Sequence, residues 1–206
     1  LRVAPDNPRL VRDVYIAAGD AGGARPGQKV LVRVTNWGTQ QANPEGVITE
    51  VLGEAGEPET DLLSIIHDHK LRIQCPSAAL KEARSAARTP GPADLRGRED
   101  LRGEIIFTVD PETAKDFDDA VSLSRKGTDW ILGVHIADVS HYVEPGGPID
   151  EEARRRATSV YFPGRVLPML PEALSNDACS LREGEDRLTV SAFLVFSPEG
   201  RVTASR

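Results

Sequence analysis

Four aspartates within ten residues, Asp110, Asp116, Asp118 and Asp119, constrain this chain more than any other feature. They sit in FTVDPETAKDFDDAV, Phe107 to Val121, where Lys115 is the one local counter-charge. Carboxylates so close repel one another, and crowding raises their pKa values at a cost in stability. A hard divalent cation reverses that cost, because magnesium and calcium take several oxygen ligands. Asp116 and Asp118 have the i, i+2 spacing that places two side chains on one face of an extended segment. Adjacent Asp118 and Asp119 face opposite sides of a strand, so a bend leading into the strand is needed for both to reach a shared pair of ions. An EF-hand does not fit: counting from Asp110, the ligand positions hold Glu112 and Ala114, and the obligatory Gly is Lys115. On spacing alone, two readings stand: a divalent metal site, or an acidic surface turn whose charges are solvated.

The formal charge of −7 is distributed unevenly. Residues 1–103 are balanced, so the whole excess lies in the half that holds the aspartates. Two divalent ions would cancel four negative charges, so acidity does not exclude a phosphate-bearing partner such as RNA. At 206 residues, with 39% hydrophobic and 28% charged residues, the chain suits one large or two small globular domains. No apolar run approaches the roughly 20 residues of a membrane helix, and no membrane partner is expected. Cys75 and Cys179 belong to no metal-spacing motif and read as free thiols, which points to a reducing cytoplasm.

Residues 1–78 read as a small antiparallel β-barrel. Val11–Ala17, Lys29–Trp37 and Gly46–Leu52 alternate apolar and polar residues between Gly, Pro and Asn clusters. The second and third of these form a meander pair, and Asp61–Lys70 a short helix. Residues 79–103 contain a basic, Ala-rich stretch that could form a short helix (Lys81–Arg88), then TPGPADLRGREDLR. Pro, Gly and charge in that run mark a linker. Residues 104–206 are α+β. Glu104–Val109 reads as a buried strand ending at Asp110, and Ala120–Leu123 and Trp130–Ala137 as further strands. Asp150–Thr158 reads as a helix with acids first and arginines last, matching the helix dipole. Arg154, Arg155 and Arg156 are expected on a solvated face or against another domain. His67 and His69 are expected to be ordinary polar side chains rather than a metal pair.

Three blocks in order, TVDPETAKDFDDAVSL, LGVHIADVSHYV and TSVYFPGRVLPMLPEALSNDACSLREGEDRL, closely resemble the catalytic domain of the ribonuclease II and ribonuclease R family. The likeness runs from about Glu104 to Val195. The upstream barrel resembles, more loosely, the second cold-shock-type OB domain that precedes this catalytic domain in ribonuclease R. The resemblance implies processive 3′→5′ hydrolysis of single-stranded RNA to nucleoside 5′-monophosphates, with two magnesium ions as cofactor. It implies that Asp110, Asp116, Asp118 and Asp119 hold the metal, with Asp118 the aspartate most directly required for chemistry. It also implies that Tyr161 stacks on RNA near the 3′ end; a core tyrosine is the alternative. Arg182 is a candidate phosphate contact or a structural ion pair, and Lys29 and Arg33 are candidate phosphate contacts on the barrel. His135 is expected in the core or behind the site. The family continues into further catalytic and C-terminal OB-type segments. A longer, monomeric parent enzyme is therefore expected, with little activity in this segment alone. The competing expectation is a non-catalytic RNA-binding or scaffold module of the same descent.

Overall fold

The computed structural model describes residues 1–39 and 41–206, which divide into two compact units, Leu1–Leu71 and Arg72–Arg206. In the first unit, strands β1 (Arg2–Val3), β2 (Val14–Ile16), β3 (Gln28–Asn36) and β4 (Glu45–Glu54) form one sheet in the order β1-β2-β4-β3. β3 and β4 are the expected antiparallel pair. Three register shifts along them, starting at Lys29/Val30, bend the sheet as bulges do. Val14, Ile16 and Ile48 are buried at the centre, with Val3, Val30, Val32, Val34 and Val51 packed around them. Helix α1 (Pro58–Asp68) follows β4 and buries Ile66 completely.

Two details depart from the sequence expectation. Within Val11–Ala17 only Val14–Ile16 is a strand, and Val11 is almost wholly exposed. β2 also runs parallel to β4, whereas the other pairs are antiparallel, so the barrel expected to be antiparallel contains one parallel contact. Gly46 lets β4 pack closely between both neighbours. A Cβ there would lie 2.7 Å from a Val32 methyl and 2.9 Å from the Arg33 carbonyl, and also 3.2 Å from a Val14 methyl on β2.

The second unit is built on a five-stranded antiparallel sheet in the order β11-β10-β7-β6-β5. Its strands are β5 (Ile106–Phe107), β6 (Asp119–Lys126), β7 (Asp129–Ala137), β10 (Thr189–Phe196) and β11 (Val202–Ser205). A separate hairpin pairs β8 (Val160–Phe162) with β9 (Arg165–Leu167). Helices α2 (Ser77–Ala86), α3 (Val139–Tyr142) and α4 (Pro148–Arg156) pack with a π-helical turn, Leu174–Ala178. Their shared core holds Ala79, Ala83, Tyr142, Ile149, Leu174 and Cys179.

The stretch 79–103, expected as a linker, thus begins inside α2, whose Ala79 and Ala83 have no exposed surface. The i, i+4 pair of small side chains lets α2 lie close against α4. A Glu82 carboxylate oxygen accepts the Ile149 N–H at 3.0 Å, satisfying one of the orphan donors at the start of α4. Farther along, Asp94 is fastened by Arg88 and by the Gly91 N–H at 2.7 Å, which orders the Pro- and Gly-rich part as well. The expected buried strand at Glu104–Val109 is also corrected. β5 spans two residues at the sheet edge, and Ile105 and Val109 are 83% and 85% exposed. A continuous apolar run signals burial on both faces only for a central strand.

The three arginines of α4 do not form one solvated face. Arg154 and Arg155 pair with Asp150 and Glu151 one turn back, at the surface. Arg156 is buried and binds Glu152 at 2.9 Å, the Pro168 carbonyl at 3.2 Å and the Gln74 carbonyl at 3.0 Å. Glu152, itself 1% exposed, also receives a two-bond fork from Arg72 at 2.8 Å for each bond. The Arg72 bond, more than any other contact, holds the Glu152 carboxyl below its usual range. A depressed carboxyl contributes stability above its ordinary value of 4.5 that is lost as pH falls through the folded value. Glu152→Gln should therefore cost about 3 kcal/mol at neutral pH, since removing one member of a buried ion pair leaves the others uncompensated. Urea unfolding followed by Trp130 fluorescence in a Trp37→Phe background checks this for the second unit. The difference from the parent should shrink as the pH drops below about 4.5.

Candidate metal centre and nucleic-acid interface

The aspartate segment is the connection from β5 into β6. Asp119 is the first residue of β6 and pairs with Ile136 of β7. One residue earlier, the Asp118 carbonyl accepts the Ala137 N–H at 2.9 Å, which extends the ladder. Asp116 is half-buried and lies in the preceding loop, and Asp110 is exposed just beyond β5. The Asp118 carboxyl is raised above its ordinary value, first by desolvation against the loop and then by the charges of Asp119, Asp116 and Asp110. Its own backbone N–H opposes that rise.

The four carboxylates therefore act on one electrostatic centre. They do not close into a ligand shell: among the described residues, no three His, Cys, Asp or Glu side chains are grouped tightly enough to hold one ion. The sequence expectation of convergence is met only as far as mutual electrostatic reach. Adjacent residues in extended backbone project to opposite sides; Asp119 is paired in β6, and the Asp118 carbonyl extends the same ladder. The chemistry of the donor set nevertheless fits a hard divalent cation: carboxylate oxygens alone, the central one raised by desolvation and then by three like neighbours.

Tyr161 on β8 reaches this cluster. Its hydroxyl donates to an Asp116 carboxylate oxygen at 2.7 Å, while the side chain remains 63% exposed. The bond to Asp116 is the main reason the phenol is raised above its ordinary pKa. The alternative of a core tyrosine is excluded by that exposure. The hairpin bearing it is fixed from below, where the Ser159 hydroxyl accepts the Met169 N–H at 2.9 Å and Arg156 holds the Pro168 carbonyl.

The other candidates are placed less openly. Arg182 ion-pairs with Asp177 and, at 3.1 Å, with Glu185, and its buried Nε has no hydrogen-bond partner among the described residues. Lys29 binds Asp6 at 3.0 Å and Asp61 at 3.2 Å, and the Asp6 bond chiefly raises its pKa. Arg33 is exposed, with no ion pair among the described residues. His67 and His69 join no ligand group among the described residues.

His135 is a core residue at 1% exposure. It is bonded to the Ser191 hydroxyl at 2.9 Å and the Ser122 hydroxyl at 3.0 Å, and burial holds it below its ordinary pKa. Behind the site, buried Asp138 binds Arg98 and Ser140, each at 2.6 Å. Sequence reasoning passed over two features. Trp37 and Tyr15 on the first unit are 63% and 51% exposed, offering open aromatic faces; the aromatic at the end of the alternating KVLVRVTNW run was the available signal. Ser180, wholly buried, is bonded to the loop around Asp116, and nothing in its spacing announces that.

A cold-shock-type barrel followed by an α+β unit with an acidic strand-entry loop defines a class, and the comparisons agree with it. The RNB domain matches residues 98–206 and a cold shock domain matches residues 3–76. The chain belongs to the RNB domain family. It is 44% identical to ribonuclease R of Thermotoga maritima over 203 residues, which is 97% of this chain and 29% of that protein. The chain thus spans under a third of the length of this curated relative. Among solved structures, Mycoplasma genitalium RNase R in complex with double-stranded RNA superposes with a TM-score of 0.90 at 28% identity, covering 98% of this chain and 36% of that one. Yeast Ssd1, a pseudonuclease, shares the fold with a TM-score of 0.73 at 19% identity, over 100% of this chain and 27% of its own.

The buried histidine supplies a test of the sheet behind the loop. Because its folded pKa lies below 6.5, the unfolded chain takes up its proton first as pH falls, and stability declines below about that pH. His135→Phe should cost about 1 kcal/mol by removing the hydrogen bonds to the half-buried Ser122 and Ser191 hydroxyls. The variant should also lose less stability than the parent between about pH 7 and 5. Denaturant midpoints at the two pH values measure both effects.

Proposed function

We propose that this chain supplies the carboxylate side of the active site of a magnesium-dependent, processive 3′→5′ exoribonuclease acting on single-stranded RNA and releasing nucleoside 5′-monophosphates. The observation that carries this reading is the complete set of Asp110, Asp116, Asp118 and Asp119, electrically coupled around Asp118, with the exposed Tyr161 ring bonded to one of them. It is supported by the ribonuclease R relatives and by RNase R of Mycoplasma genitalium, solved with ribose-methylated single-stranded RNA as well as with double-stranded RNA.

In this reading the four aspartates hold one or two magnesium ions, and Asp118 is the carboxylate whose loss most directly stops the reaction. Bound magnesium supplies charge that polarises the phosphate and lowers the pKa of the attacking water. The remaining work falls to side chains. The Tyr161 ring offers a face on which a 3′-terminal base of any identity can stack, and its hydroxyl steadies Asp116. On the first unit, Arg33 provides a free charge for phosphate, while Lys29 must exchange a carboxylate for phosphate to do the same. Trp37 and Tyr15 add stacking faces without base preference. Arg182 can reach phosphate only by leaving Asp177 and Glu185. The parent is taken to be a cytoplasmic monomer; no described helix is long and apolar enough to cross a membrane.

The test uses the full-length protein with single-stranded RNA labelled at either end. Mononucleotide should appear from the 3′ end in magnesium and stop in a chelator. Asp118→Asn should lower the rate by more than about a hundredfold, beyond the usual cost of losing a neighbour of a metal ligand, with RNA affinity retained. Binding without magnesium-dependent cleavage in the parent would instead assign a non-catalytic RNA-binding module.

A further inference from the structure

Ser180 has no exposed surface, yet both hydrogen bonds of its hydroxyl go to one loop. Its Oγ donates to the Lys115 carbonyl at 2.7 Å and accepts the Phe117 N–H at 3.2 Å. Those two backbone groups flank Asp116 on either side. The next residue continues the attachment, with the Leu181 N–H bonded to the Phe117 carbonyl at 2.8 Å. Ser180 is in turn immobilised. Its carbonyl accepts from Arg187 Nε at 2.8 Å, and it follows directly on Cys179 in the buried core beside Leu174 and Ala178.

A buried hydroxyl costs free energy unless it is hydrogen-bonded, so an apolar small residue would serve packing alone at least as well. What the hydroxyl adds is a fixed backbone on both sides of one aspartate. Among the described residues, the loop from Pro111 to Phe117 has one internal backbone turn, the Ala114 N–H to the Pro111 carbonyl at 2.9 Å. The far end of the Asp116 side chain is held by Tyr161. Its carboxylate is thereby fixed at both the backbone and the oxygen.

We propose that Ser180 is a positioning residue that sets the direction of the Asp116 carboxylate for divalent-cation binding. The proposal rests on the reading of the aspartate cluster as a magnesium site. Ser180 touches no substrate; it acts through Asp116. The chemistry predicts a specific pattern: weaker cation binding and a raised magnesium requirement, with RNA binding untouched.

The experiment uses the full-length protein and the variants Ser180→Ala and Ser180→Thr, with Mn2+ as the probe ion. Three quantities are read: Mn2+ affinity by electron paramagnetic resonance, amide hydrogen exchange of residues 111–118 against the rest of the protein, and the magnesium concentration for half-maximal RNA cleavage. Ser180→Ala should weaken Mn2+ binding by about 10- to 100-fold, the usual effect of removing a group behind a metal ligand. It should speed exchange selectively in 111–118 and raise the magnesium requirement, while RNA affinity in chelator stays at the parent value. Ser180→Thr, which keeps the hydroxyl, should restore all three. If Ser180→Ala is too unstable to purify, Ser180→Cys, which weakens both hydrogen bonds at similar volume, should move the same quantities in the same directions. Parent-like Mn2+ affinity in the folded Ala or Cys variant overturns the proposal, as does exchange that rises uniformly across the protein. Absence of Mn2+ binding in the parent itself overturns the metal reading and this proposal together, and the exchange data then still show whether Ser180 clamps the loop.

Discussion

Mutual repulsion among the carboxylates of one loop is the constraint around which the second unit is arranged. A segment with four aspartates in ten residues and one lysine cannot hold its own shape by charge pairing. Its conformation is imposed from outside, at three points. The β6–β7 ladder takes Asp118 and Asp119 through their backbone, Ser180 takes the peptides around Asp116, and Tyr161 takes the Asp116 carboxylate. The fold thus bears the cost of the crowding without neutralising it, and the Asp118 carboxyl stays raised, by desolvation first and by its like-charged neighbours second.

The anchors are themselves held by burial. Ser180 sits on the turn that fills the core with Leu174 and Cys179. Tyr161 sits on a hairpin whose return strand is tied to α4 through Arg156, and Arg156 is fixed by the buried Glu152 and, through it, Arg72. A charge network inside α4 therefore reaches the aromatic ring beside the acidic loop in a few bonded steps. Such a network is weak support for stability as such, but it fixes the orientation of the Tyr161 hairpin beside the acidic loop.

Much of this was legible in the sequence wherever a regular period met a single environment. β3 alternates cleanly, β4 and β7 are runs rich in apolar and β-branched residues, and α4 carries its acids and arginines in helix-dipole order, so their existence and approximate bounds follow from pattern. The acidic cluster was visible as composition alone. What escaped depends on tertiary partners. Lys81–Arg88 reads as basic and Ala-rich, yet Ala79 and Ala83 at helical spacing make the close face of α2. Arg156 reads as one of three equivalent arginines until Glu152 and two carbonyls bury it. β5 reads as a core strand because apolar content does not reveal an edge position. Ser180 lies in an unremarkable CSLR run, and its role exists only through residues more than sixty positions earlier.

The fold does not by itself settle chemistry, since a pseudonuclease shares it. In the proposed reaction these aspartates would hold magnesium against the scissile phosphate. The most direct test is to replace one non-bridging oxygen of the 3′-terminal phosphodiester with sulfur and compare cleavage by the full-length protein in Mg2+ and Mn2+. Hard magnesium binds sulfur poorly and manganese tolerates it better, so one sulfur isomer should be cut slowly in Mg2+ and recover in Mn2+. Sulfur substitution that leaves the rate unchanged, or slows it equally in both metals for both isomers, would contradict metal contact at the phosphate.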